Sequence, residues 1–272
     1  MSISGIQQKL SLKRDSENKL VMTAKAGEYI LKPSPEAFPH AAENEQCAMA
    51  LSHLAGIPTA VCALIPFSDG EFAYLTRRYD RIEGKKLHQE DLAQGFNISS
   101  SGKYSKSYEE CLALVHSMSG GKMAVVRELY KRIIFAWLIG NDDMHLKNIS
   151  LIRKEDNRTP FYDSLTPSYD QLFASSFSNS LKIGYLALDL LKEEHGGIFS
   201  TGYQKLGYYT SADFKELGYR AGLLPKAIKS VIDHFINLED DMTDMIFRSY
   251  MPDLMKQRAA DTLKHRFIAL KQ

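Results

Sequence analysis

Gly140-Asn-Asp-Asp-Met-His-Leu-Lys-Asn148 gathers two carboxylates, an imidazole, an ammonium and amide groups into one short stretch. It follows the apolar run Ile133-Ile-Phe-Ala-Trp-Leu138 directly and precedes the β-favouring run Ile149-Ser-Leu-Ile152. A core segment therefore ends where a reactive loop begins. Asp143 and Asn148 stand five apart, the spacing at which a phosphotransferase loop sets a carboxylate beside an acceptor hydroxyl and an amide oxygen on Mg²⁺. Asp142 is the rival carboxylate and fits that spacing less well. The same residues also suit an ordinary turn, because Asn, Asp and Gly favour loops between helix and strand. On spacing alone both readings stand.

Working outward, composition narrows the class. The chain has 272 residues, 44% apolar and 25% charged, the balance of a globular protein with room for a large core or two lobes. Its 34 basic and 33 acidic residues leave +1, no net field to draw DNA, RNA or an anionic membrane, so neither partner is expected. Cys47, Cys62 and Cys111 are odd in number and far apart, which indicates neither a disulfide framework nor a CxxC site; a reducing, cytoplasmic setting is expected. No apolar run approaches the ~18 residues of a membrane span. The start Met1-Ser-Ile-Ser-Gly-Ile-Gln-Gln-Lys9 lacks the apolar core of a signal peptide.

The first third reads as strands around one helix. Leu10-Ser-Leu12 and Leu20-Val-Met22 bracket a polar turn as a hairpin would, and Glu28-Tyr-Ile-Leu-Lys-Pro33 is a short strand ended by proline. Cys47, Ala50, Leu51 and Leu54 recur at helical spacing over Ala41 to Leu54, with Gly56 and Pro58 as the stop. Glu43 and Glu45 ride on that helix, and spacing alone favours a solvated face for both. Val61 to Pro66 and Phe72 to Thr76 form a second hairpin about Ser68-Asp-Gly70. Ser99-Ser-Ser-Gly-Lys-Tyr-Ser-Lys-Ser107 is poor in apolar residues and reads as a mobile loop. Tyr108 to Met118 and Ala124 to Gly140 carry helical periodicity around Gly120-Gly121; after the reactive loop, Ile149 to Ile152 and Thr159 to Leu165 read as strands, and the chain from Ser211 reads as helices.

Seven segments occur in one order across nearly the whole chain: Ser2-Ile-Ser-Gly-Ile-Gln-Gln-Lys, Tyr29-Ile-Leu-Lys-Pro, Asn44-Glu45, Arg78-Tyr-Asp-Arg, His88-Gln-Glu-Asp, Gly140 to Asn148, and Leu165-Thr-Pro-Ser-Tyr-Asp170. Together they resemble the motifs of the HipA-like serine/threonine kinases, toxins of bacterial toxin–antitoxin systems that phosphorylate proteins, notably aminoacyl-tRNA synthetases. The resemblance implies an α+β, bilobal protein-kinase-like fold. Residues 1–82 would be the β-rich N-lobe with its hinge at 76–80, and 83–272 the helical C-lobe. The chain is shorter than full-length HipA and looks more like the compact HipT branch, whose partner proteins supply an N-terminal subdomain.

Carried over by resemblance, Asp143 is the catalytic aspartate, with Lys147 neutralising charge on the transferred phosphoryl group. Asn148 and Asp170 would hold Mg²⁺. Lys32 would meet the ATP phosphates with Glu45, rather than Glu43, as its partner. His145 and Lys147 would lie beside the triphosphate; the alternative for His145 is a brace of the loop backbone. Arg77, Arg78 and Tyr79 match the hinge, although HipA has an acidic residue where Arg77 stands, and Tyr169 would lie near the nucleotide. Ser4, Gly5, Ile6, Gln7, Gln8 and Lys9 correspond to the phosphate-covering loop, with Ser2 and Ser4 as autophosphorylation sites. The start at this loop implies that a preceding strand is trimmed or supplied by a partner, either a cognate antitoxin or an N-subdomain-like protein. Two other functions fit less of the pattern: a catalytically silent kinase-fold binding module, and a small-molecule kinase.

Overall fold

The computed structural model describes residues 7–82, 85–177 and 186–272. β1 (Leu10–Arg14) and β2 (Leu20–Met22) form the expected hairpin, whose turn is closed by Asp15 Oδ1 accepting from the amides of Glu17 and Lys19. With β3 (Tyr29–Pro33), β4 (Cys62–Pro66) and β5 (Phe72–Arg77) they build an antiparallel sheet in the order β2-β1-β3-β5-β4. Side chains alternate across a pleated sheet. Leu12, Leu31 and Ala73 therefore pack on one face, while Lys32 and its register partner Tyr74 point to the other.

α1, between α-helix bounds Ala41–Leu54, covers that second face. It is buried on two sides: Ala42 and Met49 meet Tyr74 and Ala60, whereas Cys47, Ala48 and Leu51 join the main helical core. This double burial explains why its small and apolar residues do not keep to one stripe. Past β6 (Arg81–Ile82) and β7 (Lys85–Lys86), β8 (His88–Asp91) runs straight into α2 (Leu92–Gly95), opened by a capping box between Asp91 and Gln94. α3 (Tyr108–Met118) and α4 (Met123–Leu138) follow, turned by Gly120 and Gly121 at positive φ. β9 (Ser150–Arg153) pairs with β8 on one side and with β10 (Ser164–Leu165) on the other. α5 (Thr201–Leu206), α6 (Ser211–Arg220), α7 (Pro225–Ile236), α8 (Glu239–Arg248) and α9 (Asp253–Leu270) complete the helical part. Among the described residues no helix is long and apolar enough to cross a membrane.

Two expectations are corrected. The strand over Thr159 to Leu165 shrinks to its last two residues, because Asn157 Oδ1 accepts from both the amide and the hydroxyl of Thr159, and Pro160 brings no N–H to a ladder. The stretch Ser99 to Ser107 is held rather than loose: it winds a 3-10 turn at Ser100–Gly102, leans on the 140–148 loop and caps α3 through Ser107.

The end of α4 fixes where that loop begins. Gly140, at φ 67°, donates to the Trp137 carbonyl at 3.0 Å, and Asn141 donates to the Ala136 carbonyl at 2.9 Å, a Schellman stop. Arg266 of α9 also donates to the Trp137 carbonyl and lies 5.3 Å from the Trp137 ring. A Cβ at Gly140 would stand 2.9 Å from Ser175 Oγ and 3.1 Å from Thr262 Cγ2. Gly140→Ala should accordingly cost about 1–2 kcal/mol from the left-handed backbone alone, and more from the contact. The check is urea unfolding, in which the midpoint falls at unchanged m; adding Ser175→Ala should restore only the contact share.

Candidate active site

The site is organised by Lys32 at the centre of the sheet. Its Nζ donates to Glu45 Oε1 at 2.6 Å and to Asp170 Oδ1, and it is only 4% exposed. Glu43 turns away and meets His40 Nδ1 at 2.8 Å, so the geometry joins Lys32 to Glu45. Burial disfavours the Lys32 ammonium, yet Asp170 and Glu45 outweigh it and hold its pKa above the ordinary value. Burial likewise opposes charge on Asp170, but Lys32 and Lys9 keep this carboxyl well below the usual carboxylate range. Glu45 is the softer acid: burial pushes it up to about 7 against the pull of Lys32.

Asp170 sits at φ 53°, a left-handed conformation that few side chains adopt outside turns and sites. The chain is held there from both sides. Ser168 donates to the Pro58 carbonyl at 2.7 Å, and Ala60 donates to the Ser168 carbonyl at 3.0 Å. Asn44 of α1 grips Phe173, three residues on: Phe173 N donates to Asn44 Oδ1 at 2.9 Å, and Asn44 Nδ2 donates to the Phe173 carbonyl at 3.2 Å.

Lys32, Glu45 and Asp170 line one end of a cavity of about 410 Å³. Its walls carry Ile30, Ala60, Tyr74 and Thr76, and Tyr79 stacks on Tyr169 with ring centroids 6.0 Å apart. Lys9, Arg77, Arg78 and Lys147 also face it. An apolar and aromatic slot that opens on ammonium groups suits a flat base with a polyphosphate. The amides of Arg77 and Arg78 already donate to the Val61 and Glu28 carbonyls, and the Arg78 side chain is paired with Asp80. Hinge contacts to a base would come from other backbone groups there.

The 140–148 loop lies against the cavity. Asp143 is 6% exposed whereas Asp142 is exposed, which sorts the two carboxylates. Asn141 Oδ1 accepts from the Asp143 amide at 3.0 Å, and Asn141 Nδ2 donates to Gln171 Oε1 at 3.0 Å, tying the loop to the residue after Asp170. Asn148 Nδ2 donates to the Asp143 carbonyl at 2.7 Å, and of this loop Lys147, but neither Asp143 nor Asn148, lines the cavity. His145 does not line the cavity as expected. It is buried under Lys103, whose Nζ lies 2.7 Å from Nε2, and Asp143 Oδ1 stands 3.6 Å away. Burial, with Lys103 added, lowers its pKa despite Asp143, so the ring is neutral at pH 7 and braces the loop.

Of the phosphate-loop residues, Gln7 donates through Nε2 to the Pro33 carbonyl at 3.3 Å, Gln8 is exposed, and Lys9 Nζ reaches Asp170 Oδ2 at 3.6 Å. Ser2, Ser4, Gly5 and Ile6 lie outside the described residues. Sequence reasoning missed Gln89, Asp91 and Gln94, which line the cavity from β8 and α2, and Lys103 and Tyr104 beside Asp143. The His88-Gln-Glu-Asp segment was the available signal for the first group.

Glu45 makes one contribution to the pH response of folding. Its folded pKa is raised from 4.5 to about 7, so it favours the folded state fully below 4.5 and loses that share as pH rises through about 7. Glu45→Gln should remove this slope: in urea unfolding the stability difference moves in the variant's favour between pH about 5 and about 8. A parallel pair of curves would refute the raised value.

Residues 1–242 match the family model described as HipA-like C-terminal domain. A putative kinase of Haemophilus influenzae is 34% identical over 272 residues, covering 93% of this chain and 76% of its own. Putative kinase Y4dM of Sinorhizobium fredii is 31% identical over 216 residues, covering 70% of this chain and 52% of its own. Among solved structures, HipA of Shewanella oneidensis MR-1, in a toxin–antitoxin complex with HipB and operator DNA, has a TM-score of 0.74 at 17% identity over 100% of this chain and 65% of its own. The Helicobacter pylori proinflammatory kinase CtkA has a TM-score of 0.57 at 13% identity over 93% and 88%. At such identities the two structures show a shared kinase-like fold. The match over residues 1–242, with these relatives, places the chain in the HipA-like C-terminal domain family.

Proposed function

We propose that the chain is an ATP- and Mg²⁺-dependent serine/threonine protein kinase with residues 1–82 as nucleotide lobe and 83–272 as acceptor lobe. The observation that carries this reading is the buried Lys32, joined at once to Glu45 on α1 and to Asp170, beside the loop that bears Asp143 and Asn148. The residues present fit the cofactors. The cavity walls include Ile30, Ala60 and three tyrosines, with Lys9, Lys32 and Lys147 among the cations that face it, and Asp170 with the Asn148 amide oxygen would offer the hard oxygen ligands that Mg²⁺ takes alongside water and phosphate.

Mg²⁺-bound ATP supplies the electrophilic phosphoryl group. Asp143 orients the acceptor hydroxyl and takes its proton, a role worth ~10²–10⁴ in rate. Lys147 offsets the charge that develops on the transferred group, and Lys32, held by Glu45, positions the phosphates. The reading extends to a toxin of the compact HipT-like kind, with a cognate antitoxin or N-subdomain-like partner and an aminoacyl-tRNA synthetase as substrate. The HipB-bound state of the structural neighbour supports the antitoxin part.

Intact mass with peptide mapping after incubation with Mg²⁺ and ATP tests the activity. The wild type should gain about 80 Da per phosphate on Ser2 or Ser4, and Asp143→Ala should not. Absence of any gain, together with absence of ATP binding, would overturn the assignment. A phosphate on that loop adds about −2 charge where other phosphates must be held, so Ser2→Asp with Ser4→Asp should weaken ATP binding by titration; undiminished affinity would remove autophosphorylation as a restraint.

A further inference from the structure

Tyr104 stands on the side chain that the reading above makes the general base. Its hydroxyl donates to Asp143 Oδ1 at 2.8 Å, the separation at which a base holds the hydroxyl it deprotonates. The contact is built rather than incidental. The Tyr104 ring meets His145 edge-on with centroids 5.1 Å apart, and Lys103 Nζ lies 4.9 Å from the Tyr104 ring centroid while also bonding His145 Nε2. Two further bonds bind the same segment to the same loop. Leu146 N donates to the Lys103 carbonyl at 3.2 Å, and Lys147 Nζ donates to Ser100 Oγ at 3.1 Å. Positions 143, 145, 146 and 147 are thus all engaged by residues 100 to 104.

Building on the assignment of Asp143, we propose that Tyr104 marks the acceptor subsite and occupies it in cis, so that residues 99–106 must lift before an external hydroxyl can reach the base. One carboxylate oxygen cannot orient the tyrosine hydroxyl and a substrate hydroxyl in the same place. The tyrosine is 43% exposed, so its ring is not part of the core, and the buried Ser107 that caps α3 is where the lifting part ends. Lys147 Nζ bonds the Ser100 hydroxyl here, so lifting breaks that bond, and Lys103 leaves His145 together with the segment. The segment stays clear of the nucleotide cavity, whose lining includes neither Lys103 nor Tyr104. Occupation of the acceptor position is therefore separable from ATP binding.

Tyr104→Phe in the full chain keeps the ring and deletes the hydroxyl. A hydrogen bond to an ionised group shifts a closed–open equilibrium by roughly 10- to 100-fold. With Mg²⁺-ATP as the only substrate, in a background with Ser2→Ala and Ser4→Ala, water is the acceptor and ADP release is the readout. The expected result is ADP release raised by about tenfold or more, unchanged ATP affinity, and faster hydrogen exchange of the amides of residues 100–106. A rate equal to or below the wild type, or no ADP release from a variant that binds ATP, overturns the proposal. Asp143→Ala separates the two layers. If it releases ADP as fast as the wild type, the assignment of the base falls. Hydrogen exchange in Tyr104→Phe needs no chemistry and still decides whether the hydroxyl holds the segment down, with unchanged exchange counting against it.

Discussion

A lysine ammonium held between two carboxylates, with Lys32 and Glu45 buried and Asp170 partly so, constrains the rest of this structure. Removing one partner of such a buried group costs about 3–5 kcal/mol because the remaining charge is left uncompensated. Lys32 comes from the sheet, Glu45 from α1 and Asp170 from the loop after β10, so one cation fixes the relative position of three elements distant in sequence. The supporting contacts act in the same sense. Asn44 neighbours Glu45 on the helix and grips Phe173, so a rotation of α1 that broke the ion pair would also break the clamp on the Asp170 segment.

The second fixed point is the stop of α4. Trp137 lies in the core, its carbonyl accepts from Arg266, and Gly140 turns the chain out of the helix. Residues that must be placed to within a fraction of an ångström are best carried by rigid elements. Here the loop hangs from a buried helix at one end and from β9 at the other, with Asn141 and Gln171 joining it to the Lys32 cluster.

Local signals in the sequence showed much of this. The bounds of α1 and α3, the hairpins of the sheet and the glycine after α4 all follow from spacing or from backbone freedom within a few residues. What stayed hidden depends on partners far along the chain. Glu43 and Glu45 are two apart on one helix, and neither spacing nor propensity says which meets Lys32; the imidazole of His40 takes Glu43. Low apolar content made Ser99 to Ser107 look mobile, yet its lysine and tyrosine bond residues about forty positions on, where no periodicity could reveal them. Gln89, Asp91 and Gln94 enter the cavity because β8 pairs with β9, a register set by the sheet rather than by their own pattern.

The two polar contacts at the heart of the site share a logic. Lys32 with Asp170 pairs a buried ammonium with a carboxylate, and Tyr104 with Asp143 pairs a half-exposed hydroxyl with a buried carboxylate. An orphaned polar group costs about 1–3 kcal/mol, more when charged, so mutual pairing is the stable arrangement of the chain by itself. Ligands then exchange partners instead of creating charges in a dry pocket: phosphates compete for Lys32, and an acceptor hydroxyl competes for Asp143. Because each exchange replaces one hydrogen bond by another, its net free energy is small compared with the gross bond strength. Small differences in the arriving group can therefore decide which arrangement prevails, and the site's own internal pairs act as competitors that a correct substrate must outbid.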